Sequence, residues 1–93
     1  MTTPELLQLR VAIDEVDHKI LELVAERIRI VLRVGEIKRE RGIDVYDPER
    51  ERAVLERLGA AGPAPLDASS TRQVFERLID VSRRLEKSHM ERS

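Results

Sequence analysis

The feature that most constrains this chain is a long apolar stripe interrupted once by an arginine. Apolar side chains recur at alternating steps of three and four residues from Leu6 to Leu23, and the same count resumes from Ile30 to Ile37. This spacing predicts one continuous helix with the a and d positions of a heptad on a single face. Arg27 occupies the missing position, where its permanently charged guanidinium needs an anion or water.

Arg27 has two interpretations. As a structural residue it snorkels out of the stripe or pairs with a buried carboxylate. As a functional residue it holds an anionic ligand in a pocket. Lys38 favours the second interpretation, because it lies eleven residues later and projects on nearly the same side of the helix, roughly 16 Å along the axis. Two long cationic side chains placed in this way are suited to hold the two ends of one small dianion.

Composition excludes several classes of function. The 93 residues are 38% charged with a formal net charge of −1, which predicts one small domain over residues 1–93. No basic excess suggests binding to nucleic acid or to an anionic membrane. Without cysteine there is no disulfide or thiolate site, and neither histidine has a ligand-spaced partner, so we expect no metal. No stretch resembles a signal peptide or a transmembrane helix, which favours a cytoplasmic protein.

Start and stop signals divide the chain into three helices. Thr3 followed by proline is a typical start, and Gly42 suits the end of the first helix. Asp47 followed by proline marks a second start, and the glycine- and proline-rich segment 59–65 ends that helix. A third helix is expected from about Asp67. The predicted subunit is therefore all-α, with a long, a short and a medium helix at about 5–41, 48–60 and 67–90.

The length of the first helix predicts a homodimer. About 36 helical residues extend roughly 54 Å, whereas a compact monomer of this size has a radius of gyration of about 12 Å. One short and one medium helix cannot cover such a rod, so the long helix should pair with a copy of itself, antiparallel under two-fold symmetry. Arg10 lies roughly 26 Å along the axis from Arg27. It can therefore reach a shared ligand only in the pocket of the partner subunit.

The order of the charged residues resembles a known family, the small all-helical chorismate mutases of the AroQ class. The resemblance covers nearly the whole chain and is most specific between Arg27 and Glu51. It implies an intertwined homodimer with two equivalent sites that converts chorismate to prephenate without a cofactor, by conformational restraint and electrostatic stabilisation. The motifs that carry it are Leu9-Arg10, Asp14 to Asp17, Ala25-Glu26-Arg27, Val34-Gly35-Glu36-Ile37-Lys38 and Asp47-Pro48-Glu49-Arg50-Glu51-Arg52.

The resemblance also implies how the substrate is held. Arg27 and the partner's Arg10 would bind the two carboxylates, since arginine can engage a carboxylate through two hydrogen bonds. Arg50 would help to position the ligand. Lys38 would donate to the ether oxygen and touch a carboxylate.

Three further roles follow from the same resemblance. Glu51, with the backbone at Asp47, would hold the ring hydroxyl, and Ser82 would lie near that hydroxyl or the ring carboxylate. Glu86 would face the ether oxygen, where many bacterial members carry a glutamine. A glutamate can donate there only when it is protonated, because a carboxylate only accepts. We therefore expect faster rearrangement at mildly acidic pH.

Two alternatives stay open from the sequence. Isochorismate pyruvate lyases and mutases of 4-amino-4-deoxychorismate share this scaffold, and an anionic Glu86 would tolerate an amino substrate better than an ether oxygen. A non-catalytic, dimeric helical interaction or regulatory module also fits the heptads and the charged composition. The resemblance further allows for an activating partner enzyme.

Overall fold

The computed structural model describes residues 3–92, which form three α-helices and no strand. Helix α1 spans Pro4–Glu40, α2 spans Pro48–Ala61 and α3 spans Ala68–Arg92. The prediction of an all-α subunit with a long, a short and a medium helix is confirmed. Within this part of the chain, no helix combines the length and the apolar character needed to cross a bilayer.

Each helix begins where a side chain accepts a hydrogen bond from a free backbone amide. Thr3 Oγ1 accepts from the amide three residues on at 3.2 Å. Asp47 Oδ1 and Asp67 Oδ1 do the same before α2 and α3, at 3.0 Å and 2.6 Å. These are N-caps, which satisfy amides that have no partner within the helix. Beyond α1, Gly42 has a φ of 67°, a left-handed conformation that suits glycine after a helix.

Helix α3 packs against both α1 and α2 and so holds the subunit together. Among the described residues, the buried apolar side chains are Val54 of α2 and Ile79 of α3. Two buried polar side chains, Thr71 and Ser82, donate to backbone carbonyls one turn earlier at 2.8 Å and 2.7 Å. A core of this size is small for a chain of 93 residues.

The apolar stripe of α1 is exposed on the isolated subunit. The subunit has a radius of gyration of 17.0 Å and extends 57 Å along its longest axis, whereas a compact chain of this length would have a radius of about 12 Å. An apolar face of this extent is unusual on a soluble monomer. The exposed apolar side chains of the stripe are Leu6, Leu9, Ile13, Val16, Ile20, Leu23, Ile30 and Val34.

Candidate active site

A cavity of about 340 Å³ lies between the three helices and the connection from α1 to α2. This volume is in the range of small-molecule sites. Its apolar walls come from all three helices, through Ile30, Val31, Val34, Val54 and Ile79. Seven of the eight predicted site residues also line it, namely Arg27, Lys38, Asp47, Arg50, Glu51, Ser82 and Glu86.

Arg10 is the predicted site residue that does not line this cavity. It lies on an exposed part of α1, more than four turns before Arg27. The helix is continuous between them, so the two side chains cannot meet around one small ligand in the same subunit.

Arg27 points toward α3. It is half-buried, and its Nη1 donates to Ser82 Oγ at 3.1 Å. The same serine hydroxyl donates to the Leu78 carbonyl at 2.7 Å, so it bonds to its own helix and accepts from Arg27 at once. This partner on α3 is a neutral hydroxyl, so it does not compensate the positive charge of the Arg27 guanidinium. Arg27 is thereby oriented into the cavity with its charge available to an anion.

Lys38 is directed into the cavity by the connection between α1 and α2. Its Nζ donates to the Val45 carbonyl at 3.4 Å and lies 4.0 Å from Asp47 Oδ2. The side chain is only 23% exposed. Asp47 therefore has two roles. Its Oδ2 lies near the Lys38 ammonium at the end of α1, and its Oδ1 caps α2. The short connection thus places an ammonium group beside the first turn of α2.

Glu86 is a partly buried carboxyl group on the α3 side of the cavity. Burial raises the pKa of Glu86 above its ordinary value, because the charged form loses solvation. The nearby Lys38 ammonium lowers this pKa, and the Glu51 carboxylate raises it. The net rise means that Glu86 keeps its proton at a higher pH than an exposed glutamate does. In that protonated form it can donate a hydrogen bond.

The charge of the cavity favours an anion. Four cationic side chains line it, Arg27, Lys38, Arg50 and Arg83, against the three carboxyl groups of Asp47, Glu51 and Glu86. A proton on Glu86 would leave two more positive than negative charges. The cavity therefore combines an excess of positive charge with apolar walls, which suits a small organic dianion.

A profile of the chorismate mutase type II family matches residues 9–87. The chain belongs to this family. Its activity is that of a chorismate mutase, an isomerase. The chorismate mutase of Methanocaldococcus jannaschii is 36% identical over 88 residues, which are 94% of this chain and 89% of that protein.

Solved chorismate mutases have the same fold. The enzyme of Thermus thermophilus superposes with a TM-score of 0.85 at 35% identity, over 89% of this chain and 94% of that one. The enzyme of Helicobacter pylori, solved in complex with prephenate, gives a TM-score of 0.87 at 26% identity, over 96% and 97%. These matches do not favour the lyase or the non-catalytic interpretation. Bifunctional chorismate mutase/prephenate dehydratases are also similar, and the chain spans 15 to 20% of their length.

Arg83 is a cavity residue of the mutase that the sequence did not predict. Its guanidinium forms an ion pair with Glu51 of α2, and its central carbon lies 5.1 Å from the centroid of the Tyr46 ring. Arg83 lines the main cavity and also a second cavity of about 250 Å³ beside it. No sequence signal separates it from Arg84, which has the same side chain at the next position but lines neither cavity. Only the packing of α3 on α2 singles out Arg83.

Polar contacts bind the end of α3 to α1. His89 Nε2 lies 2.9 Å from Glu36 Oε1, and Arg39 Nη1 donates to the Met90 carbonyl at 3.2 Å. The hydrogen bond with His89 lowers the pKa of Glu36 below its ordinary value. These contacts lie about one turn beyond Glu86 and hold this part of α3 against α1.

Gly35 of α1 is buried beneath the side chains of Glu86 and Met90. A Cβ atom at Gly35 would lie 2.6 Å from Glu86 Oε2 and 2.7 Å from Met90 Cε. The missing side chain therefore lets the Glu86 carboxyl group lie directly against the backbone of α1. The sequence shows a glycine within a helical pattern, where it costs about 1 kcal/mol relative to alanine, but does not show what approaches it.

Gly35→Ala should impair catalysis more than stability. The two clashing atoms end flexible side chains and can move away, and alanine favours the helix by about 1 kcal/mol. We expect the free energy of unfolding to change by less than about 1 kcal/mol, and kcat/KM to fall by about tenfold or more because the Glu86 carboxyl group is displaced. Urea unfolding at one protein concentration and steady-state kinetics measure the two effects. A variant that loses stability but keeps the wild-type kcat/KM would contradict the role of Gly35 in making room for the Glu86 carboxyl group.

Proposed function

We propose that this mutase rearranges chorismate to prephenate in the main cavity. The reaction needs the flexible enolpyruvyl arm held over the ring and the charge that develops on the ether oxygen stabilised. The observation that carries the proposal is the convergence of Arg27 and Lys38 from α1 with Glu86 from α3 on one cavity. The rearrangement is intramolecular, so positioning and electrostatics suffice.

Arg27 and the partner's Arg10 bind the two carboxylates of the substrate. Each guanidinium can offer two parallel N–H groups to one carboxylate, which defines its orientation as well as its position. The hydrogen bond from Arg27 to Ser82 orients this guanidinium before the substrate arrives. Arg50, in the first turn of α2, adds a further positive charge at the cavity wall.

Lys38 and Glu86 act on the ether oxygen. The Lys38 ammonium donates to this oxygen as the bond to the ring lengthens and negative charge grows on it. Glu86 donates from the other side when it carries its proton, which its raised pKa favours. Ionised Glu86 would instead repel the developing charge, so the two protonation states differ in rate.

Glu51 and the backbone of Asp47 hold the ring hydroxyl. The ionised Glu51 carboxylate can accept from this hydroxyl, and both residues line the cavity at the start of α2. Ser82 lies near either the ring hydroxyl or the ring carboxylate of the substrate.

The working enzyme is an intertwined homodimer with antiparallel α1 helices. Support comes from the exposed apolar stripe of α1 and from the extended shape of the isolated subunit. A second copy would cover this stripe, and its antiparallel direction would carry its Arg10 toward the first subunit's Arg27. Each site would then contain groups from both chains.

Mixing two inactive variants should restore activity if the site is shared. Arg10→Ala and Arg27→Ala homodimers should each lose most activity, since every site lacks one arginine. After mixed refolding, half of the dimers would be heterodimers with one intact site of two, and we expect about one quarter of wild-type activity under two-fold symmetry. The activity of the mixture, compared with each variant refolded alone, measures this. No gain on mixing would contradict a shared site.

The test of the proposed function is the depletion of chorismate by the purified protein, followed by ultraviolet absorbance with the products identified. We expect prephenate. Pyruvate released from isochorismate, or turnover of 4-amino-4-deoxychorismate without turnover of chorismate, would instead support the alternatives on the same scaffold. The cytoplasmic location and an activating partner enzyme stay predictions.

A further inference from the structure

Arg83 connects three parts of the chain at the edge of the main cavity. It projects from α3, forms the ion pair with Glu51 at the start of α2, and lies over the Tyr46 ring in the connection from α1. Its side chain is 47% exposed, and Asp80 Oδ1 lies 3.9 Å from its Nη1. Arg83 is therefore held by contacts on several sides and is one of the residues that line the cavity.

The three carboxyl groups of the cavity have two cationic neighbours between them. Lys38 lies 4.0 Å from Asp47 and acts electrostatically on Glu86. Glu51 is instead paired directly with Arg83. The charge of Glu51 is thus compensated by a residue outside the set that the family resemblance implies.

The pairing of Glu51 with Arg83 affects which ring substituent of the substrate the Glu51 carboxylate binds best. A carboxylate accepts a hydrogen bond from a hydroxyl or from an ammonium, but an uncompensated carboxylate attracts the ammonium far more strongly because the charges are opposite. An aliphatic amine in place of the ring hydroxyl is an ammonium at neutral pH. The Arg83 guanidinium, paired with the Glu51 carboxylate, compensates its charge and so removes most of this preference for the ammonium.

We infer that Arg83 is a positioning residue that makes the mutase select a ring hydroxyl over a ring ammonium, by holding and neutralising Glu51. The inference rests on the proposed function, which assigns the ring hydroxyl to Glu51. It adds to that function the residue that determines which ring substituent is accepted. Arg83 acts through Glu51 and needs no contact with the reacting atoms.

The test compares kcat/KM for chorismate and for 4-amino-4-deoxychorismate in wild type and in Arg83→Met. Methionine keeps an apolar stem of similar reach and removes the charge. We expect the ratio of the amino substrate to chorismate to rise by about tenfold or more. Arg84→Met is the matched control, because Arg84 is the exposed neighbour on α3 and does not line the cavity. Its ratio should equal that of wild type.

Two further variants separate charge compensation from support of the fold. Arg83→Lys keeps the charge and should keep the wild-type ratio, even if kcat/KM falls for both substrates. In a Glu51→Gln background, Arg83→Met should no longer raise the ratio of kcat/KM for the amino substrate to that for chorismate. Position 51 then has no carboxylate whose charge Arg83 could compensate. Arg83→Gln, with the same expectation as Arg83→Met, replaces it if the methionine variant does not fold.

The outcomes distinguish this inference from the proposed function. Equal losses of kcat/KM for both substrates in Arg83→Met would show a structural role only and would overturn the inference. A rise in the ratio that persists with Glu51→Gln would overturn it too, because the effect would not pass through Glu51. A wild-type protein that converts neither substrate would refute the proposed function itself, before any variant is compared.

Discussion

Arg27→Met should lower kcat/KM for chorismate by about a thousandfold while leaving the protein folded. In the proposed binding mode Arg27 is a charged donor to a substrate carboxylate, and removing such a donor costs several kcal/mol of transition-state stabilisation. Methionine, in contrast, suits the apolar stripe that Arg27 interrupts. We therefore expect the Tm at a fixed protein concentration to stay the same or to rise, as is common when a functional charge is replaced.

Arg27→Met does not leave the buried Ser82 hydroxyl without a hydrogen-bond partner. This hydroxyl still donates to the Leu78 carbonyl, so it is not orphaned when the guanidinium is removed. Arg29→Met is the matched control, because two residues correspond to about 200° of helix rotation and Arg29 lies on the opposite, exposed side of α1. That variant should retain wild-type kinetics. Full activity of Arg27→Met would mean that the arginine is structural.

Glu86→Gln should remove the pH dependence of the rearrangement. The pKa of Glu86 is raised by burial, so its donor is present at low pH and is lost as the pH rises through the folded-state pKa. Above that pKa the wild-type kcat/KM should fall by up to about tenfold per pH unit. Glutamine donates at every pH and should give a flat profile. Rates measured from about pH 5 to about pH 7.5, in wild type and in the variant, give the two profiles.

The groups that face Glu86 explain why this profile is diagnostic. Lys38 on α1 and Glu51 on α2 act on its pKa in opposite directions, and Arg83 lines the same cavity from its own helix. Glu76→Gln is the control, because Glu76 is an exposed glutamate of the same helix. Its profile should match wild type. A Glu86→Gln profile that still falls with pH would assign the donor to another group.

Part of the site follows from the sequence because it lies on one helix. Arg27 and Lys38 are joined by an unbroken helix, whose constant rise and rotation place both side chains on nearly the same side. The caps at Thr3 and Asp47 are equally local, since each bonds to an amide three residues on. The alternation of apolar residues shows which face of α1 is apolar, but not what covers it. The antiparallel homodimer therefore stays a proposal.

The chain by itself determined the three helices, the apolar stripe and the interrupting arginine, since each depends on residues within a few turns of one another. Only the tertiary structure decided what faces these groups across the cavity. Arg27 meets Ser82 across 55 positions and Arg83 meets Glu51 across 32, and Gly35 lies beneath Glu86. Such pairs depend on the angle and register at which α3 packs on α1 and α2. Side-chain packing sets both, and no periodicity within a single helix encodes them.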